Sequence, residues 1–380
     1  MDSKKLFILF SVLMSMASTK ALAQDIQVEN ADGKIINYRY YNNGTELEVA
    51  INNGFSGDLV IPEEVTYMNR TRKVTSIGLN AFAGCVNLTS VTIPNSVKNI
   101  GARAFMACSG LKSITIPNSV TIIDSDAFQY CSGLTSLNIP NSVTRIGVFA
   151  FSDCTGLKTA IIGHGVREIG NGAFSGCTSL AAVGIGSGVR LIGSHAFSDC
   201  ESLTAIHIAN LASWCRIHIE ILPLFIAHHL FLNGEEIKDL VIPDGVTAIQ
   251  AGAFNGCTGL TSVTIPGSVT SIGASAFSGC SNLTSVTMGD GVKKIDIHAF
   301  QDCRGLKSIT IPGSVTFIGG GAFYGWDMTE VIANMMNPSK LDTESFSDNT
   351  FYNATLRVPK GTTDKYKAAE GWKKFVFIEE

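Results

Sequence analysis

The sequence predicts a β-rich solenoid of short parallel strands and short helical turns, repeating every 23 residues, with a β cap before the stack and a second cap after it. Three observations predict it. The phrase A-F-x-x-C returns at a fixed interval, with its phenylalanines at Phe82, Phe105, Phe128, Phe151, Phe174 and Phe197, then Phe254, Phe277, Phe300 and Phe323. Each phrase leads into L-x-x-V/I-x-I-P, as at Leu88, Val91, Ile93 and Pro94, and then into S/G-V-x-x-I-G. A period in this range means that one repeat cannot bury its own apolar face and that stacked neighbours cover it. The composition, 45% hydrophobic and 16% charged, suits such a buried core.

The first 23 residues are of another kind. Lys4 and Lys5 precede the apolar run Leu6–Met16, and Ala21-Leu22-Ala23 forms an A-x-A cleavage site before Gln24. This reads as a signal peptide, residues 1–23, with an apolar core too short to span a bilayer. Its removal takes the formal net charge from −4 to −6. That balance, with no basic stripe, argues against nucleic acid as a partner. No cysteine stands at the N-terminus that cleavage would create, and no later segment has the length and apolarity of a membrane span. The expected location is secreted, cell-surface or periplasmic.

Residues 24–74 read as an N-terminal β-hairpin cap, because Asp32-Gly33 and Asn43-Gly44 are turn signals beside the runs Ile35–Tyr41 and Glu46–Asn52. Residues 75–346 form the solenoid. In one coil, Ala276-Phe277-Ser278-Gly279-Cys280 predicts a short helical turn with Phe277 and Cys280 inward. Leu283, Val286 and Met288 then predict a strand with Ser285 and Thr287 outward. Residues 347–380 read as the C-terminal cap, with Thr363 as the N-cap of a short helix carrying Tyr366, Ala369 and Trp372 on one side.

Nine of the ten cysteines stand three residues after a repeat phenylalanine, and Cys215 alone is out of register. Stacked coils place such residues about 5 Å apart, which predicts a ladder of small, buried, reduced thiols. The same spacing permits a disulfide between adjacent rungs.

The interval from Phe197 to Phe254 is 57 residues, two periods plus eleven. Stepping back 23 from Phe254 lands on Phe231, which predicts that Phe231 fills a repeat slot and that the enlarged repeat spans 209–231. That segment and its approach hold His207, Trp214, Cys215, His218, His228 and His229. Histidine and cysteine are natural zinc ligands, but Cys215-x-x-His218 and the adjacent His228-His229 match no standard zinc spacing. A packed bulge and a partner-contact loop are the competing readings, the latter because loops on rigid scaffolds often carry binding.

The consensus I-P-x-S-V-T-x-I-G-x-x-A-F-x-G-C-x-x-L-T-S-V-T resembles the BspA-like class of leucine-rich repeats. The resemblance extends to Phe55-Ser56-Gly57-Asp58-Leu59-Val60-Ile61-Pro62 and to Val358-Pro359-Lys360-Gly361 with Tyr366 and Trp372. It implies a leucine-rich-repeat solenoid in an exported or surface protein that binds other proteins, including host extracellular proteins, in adhesion. An interruption ending in L-x-L-N-G-x-x-I-x-x-L-x-I-P also has counterparts in the family.

Catalysis would need convergent polar groups, and no nucleophile motif, phosphate loop or tight acid pair is present. Asp153, Asp199 and Asp302 share one repeat slot and read as spaced, solvated carboxylates. The strand face offers short hydroxyls, such as Ser90/Thr92 and Ser285/Thr287, broken by Ala182/Gly184 and Ala205/His207. This face offers no aromatics, which ranks protein ligands above glycans. The expectation is a cofactor-free binding protein, not an enzyme, with its contacts at His207, Trp214, His218, His228 and His229. A structural envelope component is the alternative.

Overall fold

The computed structural model describes residues 25–219, 229–339, 341–342 and 344–380. The expected signal peptide and His228 lie outside the described residues. The chain divides into two compact units, one ending at Ser179 and the other beginning at Leu180.

The first unit opens with an antiparallel sheet. Ile26–Glu29, Ile35–Tyr41 and Glu46–Val49 pair in sequence order, and Glu46–Val49 then pairs parallel with Arg70–Ile77. A second hairpin joins Glu64–Tyr67 to Arg70–Ile77 through Met68 and Asn69, both at positive φ. From Ile77 onward each coil adds one rung to each of two parallel ladders. The longer strands include Ser56–Val60, Asn87–Thr92 and Ser113–Thr115, then Ser136–Ile139 and Thr159–Ile162. The shorter ladder stacks Ile77, Ile100, Ile123, Ile146 and Ile169 in register.

Between the ladders lies the phenylalanine column. Phe82, Phe105, Phe128, Phe151 and Phe174 are fully buried, with neighbouring ring centroids 5.1–5.4 Å apart and planes within 16°. Burying each such side chain contributes about 1.5–3 kcal/mol, and the equal spacing explains why the period tolerates no drift. Phe55 closes the column edge-on against Phe82, at 5.6 Å and 85°.

The cysteines have a defined partner. The thiol of Cys108 donates to the carbonyl of Phe82, Cys131 to Phe105, Cys154 to Phe128 and Cys177 to Phe151, at 3.1–3.2 Å. All ten cysteines are free and buried. A hydrogen-bonded S–H is a small donor in an apolar interior, so the slot calls for a reduced thiol. The recurrent threonine of V-T-x-I has a similar logic: Thr121 and Thr144 donate to the carbonyls of Lys98 and Thr121 one coil back.

Each regular turn passes twice through the left-handed region. Asn80, Arg103, Asp126 and Phe149 occupy one such slot, and Gly84, Ala107, Tyr130 and Asp153 the other. Asp199 and Asp302 also sit in the second slot, at φ 57. Their recurrence therefore has a backbone cause, since Asp and Asn tolerate this conformation better than most residues with a Cβ.

The second unit repeats both ladders. Asp239–Val241, Ser262–Ile265 and Ser285–Met288 form one run of long strands, and Ser308–Ile311, Glu330–Ala333, Thr355–Arg357 and Phe377–Glu379 form the last. Phe254, Phe277, Phe300, Phe323 and Phe346 stack at 5.1–5.6 Å. Phe351 and Phe375 then meet Phe346 edge-on, and buried Tyr366 meets Trp372 at 5.3 Å. The last full helix, Thr363–Ala368, differs from expectation. Thr362, not Thr363, is the N-cap residue and makes no side-chain cap bond; Thr363 instead donates to Glu380.

Candidate binding face

Ala205–Ile208 turns Ile206 and Ile208 into the core and leaves His207 exposed on the outer face. The next coil does not put Phe231 in the phenylalanine column. His229–Leu232 forms a strand that pairs parallel with Ala205–Ile208, in the register Ala205↔His229, Ile206↔Leu230 and His207↔Phe231. Leu230 is buried beside Ile206, so Phe231 faces outward next to His207, half-buried. The two rings stack with centroids 4.7 Å apart and planes 22° apart. Counting 23 back from Phe254 misplaced Phe231 by assuming that all the extra residues precede it.

The chain then reverses on Asn233 and Gly234, at φ 54 and 85, and returns as Glu235–Glu236 antiparallel to His229–Leu232. Asn-Gly is the two-residue loop that suits the twist of such a hairpin. Glu236 lies opposite Phe231, and its carboxylate contacts Nδ1 of His229. On the other side, Gly184 is the register partner of His207 and Ala182 of Ala205. One row across three strands thus reads Gly184, His207, Phe231. The glycine has no side chain to cover the imidazole, which leaves an aromatic ledge on the outward strand face.

The described part of the inserted segment, residues 209–219, is packed against its neighbours. Asn210 accepts from Ser213 N–H and caps the helix Leu211–Trp214. Trp214 is 2% exposed, and its indole Nε1 donates to the Ala253 carbonyl at 2.8 Å. Cys215 O accepts from Gln250 N, and Arg216 donates to Gly245 O. The segment is therefore fastened to the coil that carries Phe254. Beyond it, His218–Ile219 pairs with Leu191–Ile192 in the shorter ladder, four residues later than the regular spacing within a coil.

Of the expected contact residues, His207 and His229 belong to the face. His218 is exposed on the shorter ladder, Trp214 is core, and His228 lies outside the described residues. Burial pushes the Cys215 thiol up to about 12, and among the described residues no three histidine, cysteine or acidic side chains gather as metal ligands. Phe231 and Glu236 are members of the face that periodic counting missed, whereas Gly184 was already legible as a break in its polarity. The Asn233-Gly234 hairpin signal was the clue that could have found them.

The model of the BspA type leucine rich repeat region matches residues 75–204 and 225–356 in six copies, well over half of the chain. The chain belongs to the BspA-type leucine-rich repeat family. Within this BspA-type chain, the gap between the matched stretches falls on the inserted helix and its flanks. The solved leucine rich cell surface protein of Faecalibacterium prausnitzii is 26% identical, covering 92% of this chain and 98% of its own, with a TM-score of 0.48. A leucine-rich repeat protein of Bacteroides ovatus is also 26% identical, over 86% of this chain and 98% of its own, with a TM-score of 0.41. The pneumococcal vaccine antigen PcpA is 18% identical over 94% of this chain and 99% of its own, with a TM-score of 0.55, and shares the fold. No curated protein matches the sequence.

Proposed function

We propose that this BspA-type chain is an exported, non-enzymatic repeat protein that binds protein ligands, in adhesion or host-protein contact, through the strand face around His207 and Phe231. The observation that carries the reading is the stacked His207–Phe231 pair, an aromatic ledge beside Gly184 on the outward strand face. A few anchors, aromatic ones prominent among them, carry most of the binding energy in protein interfaces. Glu236 and His229 place a polar pair at the edge of the ledge. The leader expected at residues 1–23 supports export, and family membership supports a binding role.

Purified extracellular-matrix proteins displayed on a sensor surface test this directly. The intact chain should bind at least one of them, and the variant His207→Ser/Phe231→Thr, which restores ordinary strand residues, should lose that binding while keeping its unfolding midpoint. Equal capture by both chains would remove the face from the account.

A further inference from the structure

The corner that follows each long strand in the first unit has a chemistry of its own. Pro94-Asn95, Pro117-Asn118 and Pro140-Asn141 occupy one repeat slot, followed by Gly163-His164. The corresponding slots of the second unit hold Ser187 and Asn210, then Asp244, Gly267, Asp290 and Gly313. The asparagines line a groove of about 640 Å³ with Thr115, Asn138 and Ile161 on its strand side. Its lining includes no aspartate, glutamate, lysine or arginine.

Several features orient these groups. Asn141 Oδ1 accepts from the backbone N–H of His164 at 2.7 Å, which fixes the orientation of that side-chain amide. Asn95, Asn118, Asn138 and Thr115 are exposed. Ile161 is 58% exposed on an outward strand position and gives the groove an apolar edge. Rungs recur at the coil spacing, which the neighbouring phenylalanine rings record as 5.1–5.4 Å.

We propose that this groove binds an uncharged β-linked glycan lying along the stack axis, one sugar ring per coil. The absence of formal charge in the lining selects a neutral ligand, because an ionic one would be desolvated without a partner. The amides and hydroxyls each offer donors or acceptors suited to sugar hydroxyls. Spacing separates a glycan from a polypeptide. An extended peptide presents equivalent groups to one side every second residue, roughly 6.6 Å, and falls out of step with the rungs within two coils. A chain of β-1,4-linked pyranoses advances about one ring per rung; successive rings are turned over, but each still presents a hydroxyl-bearing edge to the groove, so the chain stays in step from Asn95 to His164. Ile161 can meet the C–H face of a ring. The amides, rather than stacked aromatics, carry recognition here, so the site is separate from the ledge in the second unit.

Isothermal titration of the full chain with neutral β-linked hexasaccharides of glucose, xylose, mannose and N-acetylglucosamine tests the proposal, with maltohexaose as the α-linked control. At least one β-linked hexamer should bind, with affinity rising from the disaccharide to the tetrasaccharide and then levelling, and maltohexaose should not. The exposed double variant Asn118→Ala/Asn138→Ala should keep its melting temperature and bind about tenfold more weakly, as expected for two lost neutral hydrogen bonds. Failure of all four hexamers to bind, or undiminished binding by the variant, would overturn the proposal. So would saturable binding of an uncharged acetyl-(Thr-Ser)3-amide peptide that the same variant abolishes.

Discussion

The indole N–H of Trp214 donates to the carbonyl oxygen of Ala253 at 2.8 Å. In the regular coils that follow, the acceptor of this slot takes a backbone N–H: Phe254 donates to Ala276 and Phe277 to Ala299, each at 2.8 Å. A side chain from the inserted helix thus replaces a main-chain donor, and the enlarged coil is tied into the interior by its only tryptophan. Trp214→Ala is expected to destabilise the protein by about 3–5 kcal/mol through the cavity it leaves. Trp214→Phe keeps most of the bulk and is expected to cost about 1–3 kcal/mol, because the Ala253 carbonyl loses its partner. Urea unfolding followed by circular dichroism gives both values.

The thiol ladder makes stability fall at alkaline pH. Burial pushes Cys108, Cys215 and Cys257 up to about 12 from an ordinary 9.0. A thiol raised in the folded state contributes stability that is complete below about pH 9 and is lost as pH rises toward 12. Across that window each such group lowers stability by about 1.4 kcal/mol per pH unit. Unfolding midpoints measured between pH 8 and pH 11 should therefore decline, and Cys257→Ala should decline less steeply than the parent.

Thiol titration under denaturant should find all ten cysteines reduced. The thiols that donate to the phenylalanine carbonyls one coil back would lose those bonds on oxidation. A count near zero would contradict the donor role.

Glycine and alanine exchange with opposite signs at two slots. A Cβ on Gly165 would stand 1.8 Å from the backbone oxygen of Asn141, so Gly165→Ala is expected to destabilise by about 1–3 kcal/mol or more. Ala107 sits at φ 59, where a residue with a Cβ pays roughly 1–2 kcal/mol, more than the roughly 0.5–1 kcal/mol of extra chain entropy that glycine loses. Ala107→Gly is expected to stabilise. Melting temperatures of the two variants test the pair.

Much of this was legible in the sequence because the period acts on every layer at once. The column of Phe82 to Phe174, the two strand ladders and the cysteine rungs all follow from one interval. The exceptions share a physical origin. A count of residues locates an insertion only between two regular marks, and either coil between Phe197 and Phe254 could have carried it. Pairing settled the matter: Leu230 belongs beside Ile206, and a strand's period of two then turns Phe231 outward. The slot of Asp153 and Asp302 was read as surface charge, whereas its cause is a left-handed backbone that no pattern of polarity reveals. The thiol donors were hidden for a similar reason, since their acceptors lie one coil away.

The most direct test of the account compares two outward apolar residues on long strands. Phe231→Thr removes the ledge, and Val241→Thr removes a side chain that is 62% exposed and lies outside the His207–Phe231 stack. Affinity for the matrix protein that binds the intact chain best should fall about tenfold or more for Phe231→Thr and stay unchanged for Val241→Thr. Equal affinities for the two variants would contradict a binding face centred on His207 and Phe231.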